Sequence, residues 1–478
     1  MNELAYLSAA EALRLFRSRE LSPVELLTAV IERAEQVEPT VNALCHTLYE
    51  PALDQARQAE ARYAGRGPAP RPLEGIPLAV KEEEPIAGQP CTQGSLLLKD
   101  EIADHTSCLA RRILDSGAIM HARTTVPEFS AAAITRSKLW GTTRNPWNPD
   151  YAVGGSSGGS GAALAAGTTT LASGSDIAGS IRIPASFNGV VGYKPPYGRV
   201  PVDPPFNHDT YLHNGPMART VADAALLQNV IAGPDPSDIA SLSPRLELPD
   251  RFGTAEGLRV AVSVDLGGWT VDPEIRKNTL DVADALRSAG AVVEEVDLSL
   301  PREQVNRAAS IHYGLTIGFL EELIAGRPDD TSPYLAAVVE RIRRQSRGGD
   351  IAEKYALESE LYAPVAGVLR SFDVLLCPTV ATTGLSADED YAGDVPIEVD
   401  GEVFWDPIDT VLTLPFNVLG RCPVLAVPSG FAANGVPTGV QLVGAPYDDE
   451  IVFRAGAALE SVRPWFAPDG RRPEGTGS

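Results

Sequence analysis

Residues 154–184 read GGSSGGSGAALAAGTTTLASGSDIAGSIRIP and place two serines, Ser156 and Ser180, each in a glycine-rich turn. Upstream, the segment LEGIPLAVKEEEPIAG contains Lys81 at the end of an apolar run. A serine hydroxyl becomes a nucleophile when a base removes its proton, and a buried amine can be that base. The three residues predict a nucleophile-and-base set that cleaves an amide and needs neither a histidine nor a metal.

Lysine is the informative choice at position 81, because the chain holds 6 lysines and 34 arginines. Arginine does not release its proton in proteins, whereas burial readily lowers the pKa of an amine. A lysine that is neutral near pH 7 needs its pKa lowered by about 3 units, which costs about 4 kcal/mol. The plain alternative is a strand-end lysine whose ammonium reaches solvent. The two serine turns favour the functional interpretation.

Other glycine-rich motifs fit residues 154–184 less well. A phosphate-binding loop needs a lysine after its glycines, and a dinucleotide-binding fingerprint needs G-x-G-x-x-G after a strand; neither is present. The nucleophile elbow G-x-S-x-G is matched twice, at 154–158 and 155–159, and His208, His213 or His312 could supply its base. The preceding residues NPDYAV are a poor strand, however, and an elbow leaves Ser180 and Lys81 unexplained.

The rest of the chain alternates short apolar runs with helical patterns, which predicts a layered α/β fold around a largely buried sheet. Two capping boxes, Ser8–Glu11 and Ser22–Glu25, predict helices at the start of the chain. Residues 65–72 and 388–402 are predicted as loops. The predicted strands are 76–80, 118–120, 258–264, 292–296, 374–377 and 424–427, and further helices are predicted at 106–116, 273–288 and 355–371.

Composition excludes several classes of function. A net charge of −23 argues against binding to nucleic acid and to anionic membranes, because both rely on clustered lysine and arginine. The five cysteines form no CxxC pair, so neither a disulfide framework nor a zinc site is expected. No leader and no stretch of 18 apolar residues is seen, so a cytoplasmic location is expected. The sequence calls for no cofactor.

The chain resembles the amidase signature family in GIPLAVK, in the two serine turns, and in GVVGYKP, GPMARTVADAA, TLPFNVLGRCPVLAVPSG and GVPTGVQLVG. The resemblance covers most of the chain. It implies one large domain over residues 1–468, with a central mixed sheet covered by helices on both faces and N-terminal helices at about 8–37 packed on it. Residues 469–478 are expected to form a disordered tail.

The resemblance also implies roles for individual residues. Ser180 would be the nucleophile, Ser156, after a cis peptide bond from Gly155, would relay a proton, and Lys81 would be the general base. The other implied positions are the oxyanion-hole amides of Ile177, Ala178, Gly179 and Ser180, the supporting residues Ser157, Asp176 and Arg182, and the pocket residues Ser130 and Ile183.

Two departures from the family pattern bear on this mechanism. The family has Lys-Asp-Asn where this chain has Lys81 followed by Glu82, Glu83 and Glu84. Because nearby carboxylates would raise the lysine pKa, we expect them to point away or to pair elsewhere, for example with Arg182. Ala178 stands where the family commonly has glycine, which is tolerable at a negative φ but narrows the acyl pocket.

The expected reaction is hydrolysis of a small-molecule carboxamide or a related acyl bond, with apolar or aryl amides preferred. Nylon-type oligomers, carbamates and esters stay open, and a homodimer is typical of the family. A second hypothesis is the A subunit of a tRNA-dependent amidotransferase, which works in a complex. That branch reads Ser-Ile-Arg-Gln where this chain has Ile183, which favours the stand-alone hydrolase. A third hypothesis, a catalytically dead scaffold, is disfavoured by the intact set of Lys81, Ser156 and Ser180.

Weaker expectations concern the substrate pocket. Its wall is expected from loops at roughly 120–150, 200–215, 305–345 and 400–415. Asn145, Pro146 and Trp147 are expected to fix a loop near the site. His312 and Tyr313 are expected in the core or at the surface rather than on the substrate, and Phe404 and Trp405 are candidates for the mouth of the pocket.

Overall fold

The computed structural model describes residues 3–466 and 472–473. Its α-helices are α1 Ala9–Ser18, α2 Pro23–Val41, α3 Tyr49–Tyr63, α4 Cys108–Asp115, α5 Gly158–Ala166, α6 Arg182–Asn188, α7 Val221–Ile231, α8 Pro273–Ser288, α9 Arg302–Thr316, α10 Phe319–Ile324, α11 Pro333–Ser346, α12 Ile351–Leu369, α13 Pro415–Val418 and α14 Asp449–Val462. Its strands are β1 Leu44–Thr47, β2 Pro77–Lys81, β3 Ile119–Thr124, β4 Arg136–Ser137, β5 Gly141–Thr142, β6 Leu171–Asp176, β7 Val191–Lys194, β8 His213–Ala218, β9 Arg259–Val262, β10 Val292–Glu295, β11 Val374–Pro378, β12 Ile397–Val399, β13 Glu402–Phe404, β14 Val424–Phe431 and β15 Pro437–Gly444.

Eleven of these strands form one mixed sheet in the order β1-β3-β2-β6-β8-β7-β14-β15-β11-β9-β10. Strands β2 and β6 are parallel neighbours, with Leu78 beside Leu171 and Ala79 beside Ala172. Parallel neighbours end at the same edge of a sheet. Lys81 at the end of β2 and residues 173–180 at and beyond the end of β6 therefore lie together, although they are distant in sequence.

Helices pack on both faces of the sheet, in agreement with the predicted α/β class. One large apolar cluster joins α1, α4, α7, α14 and most buried residues of α8 to one face, and a second joins α9 and α12 to the other. The central strands β2, β6, β8 and β15 are fully buried, which explains why they read as continuous apolar or small-residue runs rather than as alternating patterns.

The N-terminal helices begin where the capping signals predict. Ser22 forms a complete capping box with Glu25 at the start of α2. Ser8 caps α1 by accepting from the Glu11 amide, but the Glu11 carboxylate pairs with Arg14 instead of returning to the cap. The predicted box at Ser8 is therefore only half formed, because an exposed arginine one turn on competes for the carboxylate.

Most of the predicted helices and strands are present with shifted ends, and one predicted loop is wrong. The predicted helix at 273–288 matches α8, and the one at 355–371 begins earlier, at Ile351 in α12. The stretch 388–402 is not all loop, because β12 and β13 form a hairpin there. Ile397 and Val399 turn inward on either side of an exposed residue, and this period-2 pattern was masked by the acidic composition.

The predicted tail, 469–478, lies outside the described residues except for 472 and 473. Within the described part of the chain, no helix has both the length and the apolar character needed to cross a membrane.

Candidate active site

Lys81 is fully buried at the end of β2, and its ammonium group contacts three side chains. Nζ lies 2.7 Å from Ser156 Oγ, 2.8 Å from Ser175 Oγ and 3.1 Å from Glu83 Oε1. Burial lowers the pKa of Lys81, and the charge of Glu83 opposes that shift. The strand is anchored at this point, because the Lys81 amide donates to Ser173 Oγ at 3.0 Å.

Ser156 is held in the turn before α5 and follows a cis peptide bond from Gly155, as the resemblance implied. Position 155 must be glycine, because a Cβ there would approach the backbone carbonyls of Ala132 and Ile134 to 2.5 Å. The backbone of residues 132–134 cannot move aside as the end of a flexible side chain can, so the turn packs directly against it. In this position of the turn, the Ser156 hydroxyl contacts Lys81.

Ser180 lies in the second glycine-rich turn, between β6 and α6. The Ser157 amide donates to the Ser180 carbonyl at 3.1 Å, so the two serine turns are hydrogen-bonded directly to each other. The Ser157 side chain is directed away from this contact, since its Oγ bridges the backbone N–H and C=O of Ser175 at 3.3 Å each. Ser157 therefore ties the first turn to β6.

A buried ion pair stabilises the Ser180 turn. Arg182 Nη2 and Nε lie 2.9 Å from the two carboxylate oxygens of Asp176, and both side chains are fully buried. Burial would raise the pKa of Asp176, but the guanidinium charge of Arg182 overcomes it and holds that pKa well below its usual range. Asn417 and Gln441 complete the network, with contacts to Arg182 of 2.6 and 2.7 Å.

The backbone between Asp176 and Ser180 is fixed through its carbonyl groups. The Tyr313 hydroxyl donates to the Ile177 carbonyl at 2.8 Å, and Thr413 Oγ1 donates to the Ala178 carbonyl at 2.6 Å. A trans peptide points its N–H opposite to its C=O. The amides of Ala178 and Gly179 are therefore turned away from Tyr313 and Thr413.

One predicted oxyanion-hole amide is already engaged. The Gly179 N–H donates to Asp176 Oδ1 at 2.8 Å, whereas in the described part of the chain the amides of Ile177, Ala178 and Ser180 have no acceptor. The Gly179 amide, predicted as an oxyanion-hole donor, is thus bound by the Asp176 carboxylate in this structure. Gly179 is required for its φ of +118° and because a Cβ would overlap Thr413. Ala178 does not have a positive φ, so its methyl group is tolerated.

The three glutamates after Lys81 have different partners, and the expectation that all of them avoid it is wrong for one. Glu82 accepts from the amide and hydroxyl of Thr92, and Glu84 accepts from Ser107 Oγ at 2.6 Å. Glu83 turns back to Lys81. Arg182, the alternative partner considered for them, is occupied by Asp176. The tight turn after β2 forces this result, because successive side chains leave it in different directions.

A cavity that is partly open to solvent reaches Ser180 and is lined mainly by apolar side chains. Ser130 and Ile183, the two predicted pocket residues, line it, as do Ile177 and Ala178. The wall opposite Ser180 comes from α9, α11 and the segment that follows β13. Its principal members are Ala309, Tyr313, Ile317, Val338, Ile342 and Ile408.

Of the charged residues that line this cavity, Arg341 and Asp406 form an ion pair, and Asp390 accepts a hydrogen bond from the Ala392 amide. Arg341 lies 2.7 Å from Asp406 and 2.7 Å from Asp409, and Gln345 accepts from Arg341 at 3.2 Å. The guanidinium is thus fully engaged by side chains of the protein. A ligand in the cavity meets chiefly alanine, isoleucine and tyrosine surfaces.

The Amidase family model matches residues 25–453. The chain is 34% identical to an acylamidase of Rhodococcus erythropolis over 97% of this chain and 96% of that protein. The chain belongs to the amidase signature family. It is also 33% identical, over 94% of its length and 96% of the relative, to the A subunit of the glutamyl-tRNA(Gln) amidotransferase of Thermosynechococcus vestitus.

Solved structures of amidase signature enzymes share the whole fold. A bacterial aryl acylamidase superposes with a TM-score of 0.87 at 30% identity, covering 98% of this chain and 99% of that one. A 6-aminohexanoate cyclic dimer hydrolase superposes with a TM-score of 0.81 at 30% identity, covering 99% and 100%. Both the expected family and the expected single-domain α/β fold are therefore confirmed.

The minor predictions around this amidase signature site have mixed outcomes. Asn145 and Trp147 do fix a loop, since they donate to the carbonyls of Phe187 and Asn188 at the end of α6. His312 is a core residue, as expected, stacked on Tyr211. Tyr313, expected in the core or at the surface, instead lines the cavity.

Two predictions about the cavity wall also differ in outcome. The segment 200–215 contributes no residue to the cavity that opens onto Ser180, which corrects its predicted part in the wall. Phe404 and Trp405 lie beside a neighbouring depression, next to the cavity residue Asp406.

The histidine-dependent elbow is not formed. His213 contacts the carbonyls of Asp176 and Gly420, and His312 contacts Asp209 at 2.6 Å. Ser157, the serine at the centre of the second elbow match, contacts the backbone of Ser175 instead of a histidine.

Sequence reasoning missed Ser175 and Glu83, which both contact Lys81. Ser173 and Ser175 lie two apart on β6 and so share a face of the sheet, beside the parallel strand that ends at Lys81. That alternation of serines was visible, but only the pairing of β6 with β2 gives it meaning. Glu83 carried no signal, because its direction depends on the turn.

Proposed function

We propose that this protein is an amidase that hydrolyses carboxamides through an acyl-enzyme on Ser180. One observation carries the proposal: a fully buried lysine contacts a serine hydroxyl at 2.7 Å, beside a second serine turn that opens into an apolar cavity. Burial favours the neutral amine, which is the form that can accept a proton. Ser156 would pass protons between that amine and Ser180, since the amide of the next residue, Ser157, is hydrogen-bonded to the Ser180 carbonyl.

In the proposed acylation step, Ser156 passes its proton towards Lys81 and takes the proton of Ser180. The Ser180 oxygen attacks the amide carbonyl carbon, and the carbonyl oxygen becomes an oxyanion. The same chain of groups then returns a proton to the nitrogen, so that the C–N bond breaks and an amine or ammonia leaves. Water repeats the sequence in reverse on the acyl-enzyme.

The proposed oxyanion donors are the amides of Ile177, Ala178 and Ser180. Their support is that all three belong to cavity-lining residues and that none of the three has an acceptor within the described chain. Donors fixed before the reaction stabilise developing charge without reorganisation, and one such donor contributes about 2.7–4 kcal/mol. Tyr313, which donates to the Ile177 carbonyl, would hold in place the peptide that carries the Ala178 amide.

The proposed substrates carry an apolar acyl or aryl group. Such a group would be buried against the alanine and isoleucine side chains of the cavity, at about 25 cal/mol for each Å² removed from water. Glutamine, the substrate of the amidotransferase alternative, would place a charged α-carboxylate and ammonium in the same space. Ile183 and the paired state of Arg341 leave the α-carboxylate without a partner, which favours the stand-alone amidase.

The test combines labelling with turnover. Purified protein is treated with a fluorophosphonate, the labelled peptide is mapped, and hydrolysis of apolar anilides is compared with that of glutamine. We expect an adduct on Ser180 that is lost in Ser180→Ala and Lys81→Ala, with turnover of the anilides. Labelling on Ser157 that survives Lys81→Ala would contradict the mechanism. Glutamine turnover exceeding that of the anilides would instead favour the amidotransferase alternative.

A further inference from the structure

The Lys81 ammonium is saturated with acceptors, which creates a problem for its proposed role. An ammonium has three N–H donors, and Nζ has three oxygen neighbours: Ser156, Ser175 and Glu83. While all three bonds are made, Nζ has no lone pair with which to take a proton from Ser156. One proton must leave Nζ before or during the attack of Ser180.

Only one of the three neighbours can take that proton. Ser156 and Ser175 are neutral hydroxyls, whereas Glu83 presents a carboxylate oxygen 3.1 Å from Nζ. Release to water is blocked at Nζ itself, because the Lys81 side chain is 0% exposed, while that of Glu83 is 14% exposed. Burial would raise the pKa of Glu83, but the charge of Lys81 overcomes it and lowers that pKa, which favours the carboxylate form of Glu83.

The Glu83 carboxylate is held in position for this contact. Its second oxygen, Oε2, accepts a hydrogen bond from Ser130, which lines the cavity and has a φ of +53°. The neighbouring Glu128 is buried and anchors the segment through Ser95 and the Ser332 amide. Ser130 therefore holds the carboxylate at Oε2 while Oε1 faces Lys81.

We propose that Glu83 is the terminal proton acceptor of this site, and that Lys81 is a relay that carries a positive charge before and after the attack. This inference rests on the proposed function. As the Ser180 Oγ–C bond forms and the carbonyl π bond breaks, the Ser180 proton moves to Ser156, that of Ser156 to Lys81, and one ammonium proton to Glu83. The negative charge of Glu83 is replaced by that of the oxyanion, so the net charge is unchanged. When the C–N bond breaks, the protons return along the same chain to the leaving nitrogen.

Other charged groups around the pair are accounted for. Glu84 and Asp176 act on Lys81 through space, and Asp176 is neutralised by Arg182. Arg123 donates to the backbone carbonyls of Lys81, Glu82 and Glu84 rather than to a carboxylate. Glu83 is therefore the one carboxylate in the described chain that contacts Nζ.

The test is the pH dependence of the rate at which a fluorophosphonate inactivates the protein, since this needs no knowledge of the substrate. In the wild type the inactivation rate should stay constant to below neutral pH and fall only where the Glu83 carboxylate becomes protonated. In Glu83→Gln, Lys81 must lose a proton before it can accept the one from Ser156. The acid limb of the profile, which is the fall in rate at low pH, should therefore move to higher pH by about one unit or more. Glu82→Gln, the same change in the neighbour that faces Thr92, should leave the limb in place.

The opposite result is equally clear. If Glu83 only raises the pKa of Lys81, its removal moves the acid limb to lower pH, and that outcome, or an unmoved limb, overturns the inference. If Glu83→Gln does not fold, Glu83→Asp is the second variant, because it keeps the carboxylate but moves it away from Lys81. In Glu83→Asp the acid limb of the pH profile should stay in place and the inactivation rate should fall. An unchanged inactivation rate in Glu83→Asp also overturns the inference. Absence of any label on wild-type Ser180 overturns the proposed function and this inference together.

Discussion

Two lysines of this chain, Lys81 and Lys194, are both fully buried at strand ends, yet their surroundings differ in kind. Lys81 contacts two hydroxyls and a carboxylate. Lys194 donates only to backbone carbonyls, at 2.9 Å to Cys422, 3.3 Å to Pro195 and 3.5 Å to Gly420. Hydroxyls and carboxylates exchange protons, whereas a peptide carbonyl does not.

The comparison teaches that a shifted pKa does not by itself mark a functional lysine. Burial lowers the pKa of both, and that of Lys194 falls to about 7, with the nearby charge of Arg182 adding to the effect. What separates them is the chemistry of the acceptors. Lys81 has partners that can pass protons on, and Lys194 fastens chain segments together.

The largest expected effect is on activity, in which variants of Lys81 and Lys194 should differ. Lys81→Met should lower kcat by about 10²–10⁴-fold, because it removes the group that relays the proton. Lys194→Met should leave kcat, measured for the folded fraction, close to that of the wild type. Steady-state kinetics on an apolar anilide, normalised to the folded fraction measured by circular dichroism, decides this. Equal losses in both variants would show that burial, and not the acceptor set, makes Lys81 matter.

The second effect is on stability, where Lys194 rather than Lys81 is the residue tested. Lys194→Met should lower the free energy of unfolding by about 1–3 kcal/mol, because buried carbonyls lose their donor. Lys277, whose side chain is 71% exposed and pairs with Asp281, is the matched control. Lys277→Met should change stability by no more than about 1 kcal/mol. Urea unfolding measures both, and a Lys194→Met protein as stable as the control would contradict the structural role of Lys194.

The sequence predicted one side of this comparison. The family motif and the rarity of lysine singled out Lys81, and the glycine-rich turns singled out Ser156 and Ser180. Nothing singled out Lys194, because its partners are carbonyls at 195, 420 and 422, two of which are far away in the chain. Backbone acceptors have no residue type, so sequence patterns cannot report them.

The fold and the site differ in the same way. Strand and helix positions follow from local apolar patterns, and helix α8 was predicted to the residue. The direction of Glu83 and the engagement of the Gly179 amide by Asp176 depend on turn geometry and on contacts between segments. Those features decide which groups can exchange protons, and they appear only once β2 and β6 are paired.

A third effect concerns the stability contributed by two neighbouring carboxyl groups, those of Glu84 and Glu83. Burial, against a hydrogen bond from Ser107, raises the pKa of Glu84 to about 7. Between the usual Glu value of about 4.5 and 7, the folded protein keeps a proton that the unfolded chain has lost, so stability falls as pH rises through that window. Above pH 7 the full penalty applies. Glu84→Gln should therefore stabilise the protein at pH 8 by about 1–3 kcal/mol and by little at pH 4.

Unfolding curves at the two pH values measure this difference. Glu83→Gln is the contrasting variant, because it removes the partner of a buried ammonium and should destabilise the protein at pH 8. A stability gain from Glu84→Gln that is the same at both pH values would indicate improved packing instead of a removed charge.

The smallest effect concerns carbonyls that lie beside Ser180. Thr413 donates to the Ala178 carbonyl and Tyr313 to that of Ile177, in the way that Lys194 serves carbonyls elsewhere. Here, however, the peptide that Tyr313 holds carries the Ala178 amide, a proposed oxyanion donor, so loosening it should reduce transition-state stabilisation. The peptide that Thr413 holds carries the Gly179 amide, which donates to Asp176. Tyr313→Phe, which keeps the ring, should therefore cost about 1 kcal/mol, or about fivefold in kcat.

Thr413→Val is the matched control: it should lower the free energy of unfolding and leave kcat nearly unchanged, because the amide of the peptide that Thr413 holds is bound by Asp176. A loss of stability without a change in kcat in Tyr313→Phe would place Tyr313 with Lys194, as a residue that only fastens the backbone. A fall in kcat at constant stability would place it with Lys81. Carbonyl acceptors are then structural or functional according to what the opposite face of the peptide presents, which is the same criterion that separates the two lysines.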